Sequence, residues 1–449
     1  MKLYSEKKDY KLYQGNMLDM LEVIEPNSID SIVTDPPYEL NFMGKGWDNA
    51  GVSFNADTWK KCYEVLKQGG YLLAFGGSRT YHRIACAIED AGFEIRDTIM
   101  WLYGSGFPKS MNIGLAIDKK NGVKIKSSYI PNDKNNVYGN NFGGGKTDNN
   151  LIAQNEWQGW GTCLKPSFEP IIVARKPFKG SLVDNVIANG VGGINIDECR
   201  VGSEVIKGGT MPKMNSQSDG INLYNFGKKN AERLERQDNI GRFPANTILT
   251  YDETDFEEVC GKFPNTKSTK TNSKLLDIRG NNYNNANKML DISYERGFND
   301  SGSASRYFYC AKASKRDRDE GLDEFEEKNT MCDRNPDLSS ANVPQNRSGL
   351  LRKNTHPTVK PTDLMQYLVR LVTPNNGIVL DPFNGSGSTG KAVMYENKDR
   401  NKNYKYIGIE LTEEYLPIAK ARIECVCNSK EEKPSKEQMS IFDLERQDN

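Results

Sequence analysis

The chain is short of several features that usually announce a function. Its 449 residues include only two histidines, His82 and His356. Neither stands among carboxylates or cysteines at metal-ligand spacing, so no metal site is expected. Nine cysteines (Cys62, Cys86, Cys163, Cys199, Cys260, Cys310, Cys332, Cys425, Cys427) are scattered without a CxxC pair, which argues against both a disulfide framework and a zinc module. No apolar run approaches the roughly 20 residues that a membrane helix needs, and residues 1–10 are polar and charged. Neither insertion nor export is therefore expected, and the cytoplasm is the expected location. Net charge is missing too: 60 Lys and Arg balance 60 Asp and Glu, so any nucleic-acid partner has to be met by a local basic surface.

What is present falls into three textures. In the first, residues 1–177, β-branched runs alternate with helical spacing, as a parallel sheet wrapped by helices requires. Ile29 to Asp35, Tyr71 to Gly76, Ile95 to Leu102 and Phe168 to Arg175 read as strands, and Asp57 to Lys67 and Tyr81 to Ala91 as helices. In the second, residues 178–354, Asn, Gly, Lys and Ser dominate. Tracts such as RGNNYNNANK (Arg279 to Lys288) can bury little apolar surface and read as long loops, with only fragments such as RFPANTIL (Arg242 to Leu249) strand-like. In the third, residues 355–428, the alternation returns: Thr362 to Val372 helix, Gly377 to Asp381 strand, Ser388 to Glu396 helix, Tyr404 to Glu410 strand, Thr412 to Cys425 helix. Residues 429–449 read as a flexible tail.

LDPFNGSGSTG (Leu380 to Gly390) places a glycine-rich turn between a strand and a helix, where the backbone can pass close to a ligand. Twenty residues on, YIGIEL ends a strand at Glu410, whose carboxylate suits the two hydroxyls of a ribose. Two other motifs share these residues. Gly385, Gly387 and Gly390 satisfy GxGxxG, and Gly385 with Gly390-Lys391 nearly satisfies the P-loop pattern. The P-loop reading lacks its Ser or Thr, since Ala392 stands there, and Asp381 repels the phosphates that both readings need. An acid with an aromatic, Asp381 and Phe383, suits the cationic sulfonium of S-adenosylmethionine.

TDPPY (Thr34 to Tyr38), directly after the strand IDSIV, carries the chemistry. An exocyclic amine conjugated with its base is weakly nucleophilic, so attack on a methyl group needs acceptors for both N–H bonds. Asp35 offers one. The carbonyl of Pro36 offers the other, because the Pro36-Pro37 pair fixes φ and removes N–H donors. Tyr38 can stack on a base, which has to be flipped out of the duplex to reach such a pocket.

These motifs resemble the S-adenosylmethionine-dependent amino-methyltransferases of bacteria and phages, in the permuted β-class order with DPPY first, FxGxG last and target recognition between. HPTVKP (His356 to Pro361) is similar to the family's segment around the methionine end of the cofactor, and KPSFEPIIVARKP (Lys165 to Pro177) to its last catalytic-domain strand. The resemblance covers both ends of the chain and spares the middle. It implies a doubly wound, mostly parallel, seven-stranded Rossmann-like α/β sheet with an inserted, loop-rich domain for DNA recognition. It also implies that Asp35, Pro36, Pro37 and Tyr38 act on the base. Asn16, Asp35, Lys360, Asp381, Pro382, Phe383, Asn384, Gly385, Gly387 and Glu410 would then line the cofactor, with Lys360 near its carboxylate. Asn16, in QGNML, stands where the family commonly has an acidic residue against the adenine of the cofactor.

The expectation is therefore a site-specific DNA adenine-N6 methyltransferase acting on double-stranded DNA, beside a restriction enzyme or alone, with Asp at the head of DPPY favouring adenine. Cytosine-N4 methylation, an RNA substrate and a catalytically dead DNA-binding protein are the alternatives. A homodimer and a phage origin stay open. SASRYFYCAKASKRDR (Ser303 to Arg318) reads equally as a phosphate-tracking surface or a solvated helix face.

Overall fold

The structure is a computed structural model that describes residues 2–40, 51–103, 110–123, 152–206, 210–212, 233–235, 237–251, 263–268, 271–276, 289–296, 300–312, 315–329 and 351–428. It divides into two compact units, residues 1–195, 249–253 and 311–431, and residues 196–248, 254–310 and 432–449.

The first unit carries a mixed sheet. Its strands are β1 (Lys2–Lys7), β2 (Tyr10–Gln14), β3 (Ile29–Thr34), β4 (Leu66–Phe75), β5 (Glu94–Tyr103), β6 (Phe168–Arg175), β7 (Ile378–Asp381) and β8 (Lys405–Glu410), in the spatial order β1-β2-β8-β7-β3-β4-β6-β5. Two short strands, Thr247–Tyr251 and Tyr309–Lys312, extend the sheet past β5. The seven expected strands are thus present, and β1 adds an antiparallel edge to β2. That edge strand is mostly exposed and rich in charge (KLYSEK), a composition that discourages further pairing.

Strands β2, β8, β7, β3 and β4 run parallel to one another. Parallel strands are covered on both faces, and β3 accordingly has all six residues buried. Its one acid, Asp30, is satisfied by the Lys67 ammonium at 2.7 Å and the Ile378 amide at 2.8 Å. Helices Ala56–Val65 and Tyr81–Asp90 pack Trp59, Cys62, Val65, Ile84 and Ile88 into one apolar cluster with Ile32, Leu72 and Ile172. Helices Thr362–Val372, Ser388–Arg400 and Leu416–Asn428 supply further buried faces. Every strand and helix expected in the two flanking regions is found, with ends displaced by a few residues.

Strand β6 runs antiparallel to both β4 and β5. Its beginning, Phe168-Glu169, therefore lies level with the carboxyl ends of the parallel strands, where Phe75 pairs with Ile171 and the Gly76 amide donates to Pro170 at 2.9 Å.

The second unit is described as two-stranded ladders: Val201–Ile206 with Asn239–Arg242, Thr210–Pro212 with Arg233–Glu235, Asn265–Ser268 with Asp300–Ser303, and Thr271–Leu276 with Met289–Arg296. More strand is present here than composition suggested, and RFPANTIL is divided between the end of one strand and the start of another. The tract Arg279 to Lys288 and the tail lie outside the described residues.

Candidate active site

Three parallel strands deliver the key acids to one edge of the sheet. Asp35 follows the last residue of β3, while Asp381 and Glu410 end β7 and β8. A cavity of about 1270 Å³ opens there, lined by Asn16, Asp35 to Tyr38, Lys360, Asp381 to Gly385 and Glu410, which are all the residues expected at the site except Gly387. Its volume exceeds the range of roughly 300–1,000 Å³ for small-molecule pockets, which leaves room for a cofactor beside a second group.

On one side lies the glycine turn. Gly385 and Gly387 have φ of 52° and 76°, left-handed values that favour glycine. A Cβ on Gly385 would stand 2.9 Å from the His356 ring, and one on Gly387 would stand 3.0 Å from Ala419. Gly390 has a packing reason instead, since its Cβ would meet the Tyr406 ring at 2.5 Å. Glu410 accepts from the Gly385 and Thr412 amides, each at 2.7 Å. A carboxylate is the kind of acceptor that ribose hydroxyls require. Asn16 caps the helix Met17–Leu21 through the Leu18 amide at 3.0 Å, next to Gly15, whose amide donates to the Glu410 carbonyl. Phe383 packs against Trp59 at 6.3 Å. Positive-φ glycines around a rigid carboxylate form a cradle that side chains would fill, and these residues fit S-adenosylmethionine.

Asp381 is spent on structure. Both oxygens accept: one from the Thr34 hydroxyl at 2.6 Å and the Phe383 amide at 3.1 Å, the other from the Thr389 hydroxyl at 2.6 Å. Burial pushes its carboxyl up to about 6, against these hydrogen bonds. It ties β3, the glycine turn and the next helix together at the cavity wall.

On the other side, five polar side chains meet. Lys360 donates to Asp35 at 2.6 Å and lies 3.5 Å from Glu169. The Tyr38 hydroxyl is 2.9 Å from Asp35 Oδ1 and 2.8 Å from Glu169 Oε2. Tyr103, ending β5, reaches Glu169 Oε1 at 3.3 Å. The Lys360 ammonium also sits over the Phe75 and Tyr38 rings at 5.1 and 5.4 Å. Burial raises the Asp35 carboxyl, partly opposed by Lys360. Burial acts to lower the Lys360 ammonium, yet the Asp35 and Glu169 carboxylates outweigh it and hold it above its usual value. The Ser53 hydroxyl donates to the Pro37 carbonyl and pins the loop.

Lys360, expected near the carboxylate of the cofactor, is thus paired to Asp35 within the same cavity. Glu169 and Tyr103 are site residues that the sequence did not single out. The signal was an acid at the start of a strand, FEPIIVAR, that is apolar from there to its closing Arg175. His356, from the same HPTVKP segment, lines the cavity too. Burial, with Lys360, Arg318 and Arg422 nearby, lowers its imidazole to about 3, so it is neutral. Lys391, the lysine of the near P-loop, is fully buried away from the cavity and paired with Asp317 at 2.6 Å and Glu320 at 2.7 Å. The P-loop reading has no lysine to offer a phosphate. At the end of the Ser303 to Arg318 segment, Asp317 bonds Thr362 and Lys391, and Arg318 donates to the His356 carbonyl, so these two residues serve packing.

The family model described as DNA methylase matches residues 29–421, and the chain belongs to this N6/N4 family. S-adenosylmethionine, the methyl donor of such enzymes, is its cofactor. Among curated relatives, the Type II methyltransferase M.HindIII of Haemophilus influenzae is 21% identical over 330 residues, covering 64% of this chain and 94% of that protein. The Type II methyltransferase M2.MboI of Moraxella bovis is 43% identical over 115 residues, only 22% of this chain and 42% of that one. Similarity to the solved PvuII DNA methyltransferase (cytosine-N4-specific) covers 97% of this chain and 93% of that one, at 12% identity and a TM-score of 0.41.

Proposed function

We propose that this protein is a site-specific DNA adenine-N6 methyltransferase. The observation that carries the reading is a single cavity lined both by the glycine cradle with Glu410 and by Asp35-Pro36-Pro37-Tyr38, two sequence motifs some 350 residues apart. In this reading Glu410 holds the ribose of the cofactor, Gly385 and Gly387 admit it closely, and Asn16 meets its adenine. Asp35 and the Pro36 carbonyl take the two N–H bonds of the flipped base, and Tyr38 stacks on its ring. Asp35 retains acceptor capacity beyond Lys360 and Tyr38, because each carboxylate oxygen has two lone pairs. Asp at the head of the motif supports adenine over cytosine. The second unit, with its Asn, Gly and Lys, is the candidate for reading the target sequence, through base edges in the major groove of double-stranded DNA.

The test is incubation with labelled S-adenosylmethionine and unmethylated bacterial DNA, or RNA in parallel, followed by digestion to nucleosides. Label in N6-methyladenine is expected. Label in N4-methylcytosine overturns the base, label in RNA overturns the substrate, and no label overturns the activity.

A further inference from the structure

Within the catalytic cluster, the Tyr38 hydroxyl has one proton and two carboxylate neighbours at almost equal distance, Asp35 Oδ1 at 2.9 Å and Glu169 Oε2 at 2.8 Å. A phenol donates one hydrogen bond at a time, so the second contact becomes a hydrogen bond only when one of the two carboxyls carries a proton. Lys360 does not resolve the conflict, since its close contact is with Asp35 at 2.6 Å and it stands 3.5 Å from Glu169. The arrangement is that of a wire waiting for one proton.

We infer that Asp35, Tyr38 and Glu169 form a relay that carries away the proton released when the target amine is methylated. The inference rests on the reading of the site given above. As the amine lone pair forms its bond to the methyl carbon and the carbon–sulfur bond breaks, the nitrogen becomes cationic and the sulfur neutral. The nitrogen passes one N–H proton to Asp35 as this positive charge develops, so the relay contributes to the rate of transfer itself. Tyr38 takes that proton from Asp35 Oδ1 while passing its own to Glu169 Oε2, and Glu169 releases it to water in the cavity, restoring all three groups. Burial and the two carboxylates hold the Tyr38 phenol well above its usual value, so the two transfers occur together and no tyrosinate accumulates. Asp35 and Glu169 have 19% and 21% of their side chains exposed, and both line the cavity, so the wire opens to solvent through it. Tyr103 steadies the far oxygen of Glu169. Glu169 does not touch the amine; it acts through Tyr38.

The test compares Tyr38→Phe, Glu169→Gln and the double variant by single-turnover methyl transfer, alongside the affinities for S-adenosylmethionine and DNA. Each single substitution is expected to slow transfer by about 100-fold, at the low end of general acid–base contributions, with both affinities unchanged. The double variant is expected to be no slower than the slower single one, because members of one chain are not additive. A readout apart from activity is the infrared carboxyl band of the protein titrated with acid, where Asp35 and Glu169 face Tyr38, Lys360 and Tyr103. Tyr38→Phe is expected to shift that band by ending the sharing. Losses that multiply, a band unmoved by Tyr38→Phe, or cofactor affinity lost with the rate each overturn the relay. No transfer by the unsubstituted protein overturns the functional reading itself, and the relay with it.

Discussion

At the residue scale, the proposed chemistry depends on Asp35 staying ionised in a half-buried place. Desolvation raises its carboxyl and the Lys360 ammonium holds it down. Replacing Lys360 by Met removes the opposing charge, so the Asp35 carboxyl should rise further. With the ionised form as the proposed acceptor of the amine, activity is expected above that value and is lost as pH falls through it. The acid limb of the rate profile should therefore move to higher pH, with a deeper loss at pH 6 than at pH 9. A Lys360→Met profile parallel to that of the unsubstituted protein would sink this account. Sequence made Asp35, Tyr38 and Lys360 of this cluster legible, and not Glu169 or Tyr103. Asp35 and Tyr38 announce themselves by adjacency, whereas Glu169 lies 134 residues from Asp35 and reaches it only because β6 reverses direction. Nothing in a one-dimensional pattern marks that reversal.

At the scale of elements, the glycine turn was legible because its logic is local: strand, glycines, helix, then an acid at the end of the next strand. The anchoring of the helix that follows was not. Lys391 has no exposed surface, and its ammonium is paired with Asp317 and Glu320, more than 70 residues earlier in the chain. Asp317 also accepts from the Thr362 amide at 2.8 Å, so one carboxylate joins the starts of two helices. Burial opposes the Asp317 charge, but Lys391 and Thr362 overcome it and hold the carboxyl below its usual value. A lowered carboxyl gives stability that is present above the ordinary carboxylate range and is lost as pH falls through the lowered value. Lys391→Met leaves that charge buried with its main partner gone. The expected cost is about 3–5 kcal/mol, as for other half-broken buried pairs, read from the midpoint of denaturant unfolding at neutral pH. Adding Asp317→Asn should recover part of it. A single substitution that costs less than about 1 kcal/mol would show that the pair is not a clamp.

For the whole molecule, balanced charge means that DNA has to be met by local surfaces, and in the proposed reading the two units take separate tasks. Every residue lining the cavity belongs to the first unit. The β1–β2 hairpin of that unit escaped notice because its charged edge reads as a polar terminus, while the second unit escaped because short antiparallel ladders in Asn-rich sequence lack a period long enough to recognise. Ligand linkage tests the division. A ligand that binds only the folded state stabilises by RT ln(1 + [L]/Kd), about 2.7 kcal/mol at one hundred times Kd. Calorimetry with S-adenosylmethionine at that excess should raise the unfolding transition of the first unit and leave that of the second where it was. With Glu410 proposed to hold the ribose of the cofactor through its carboxylate, Glu410→Ala should leave both transitions unmoved by the ligand. If instead the unsubstituted protein shows one transition that moves as a whole, the two units unfold as one cooperative block and the separation of tasks fails.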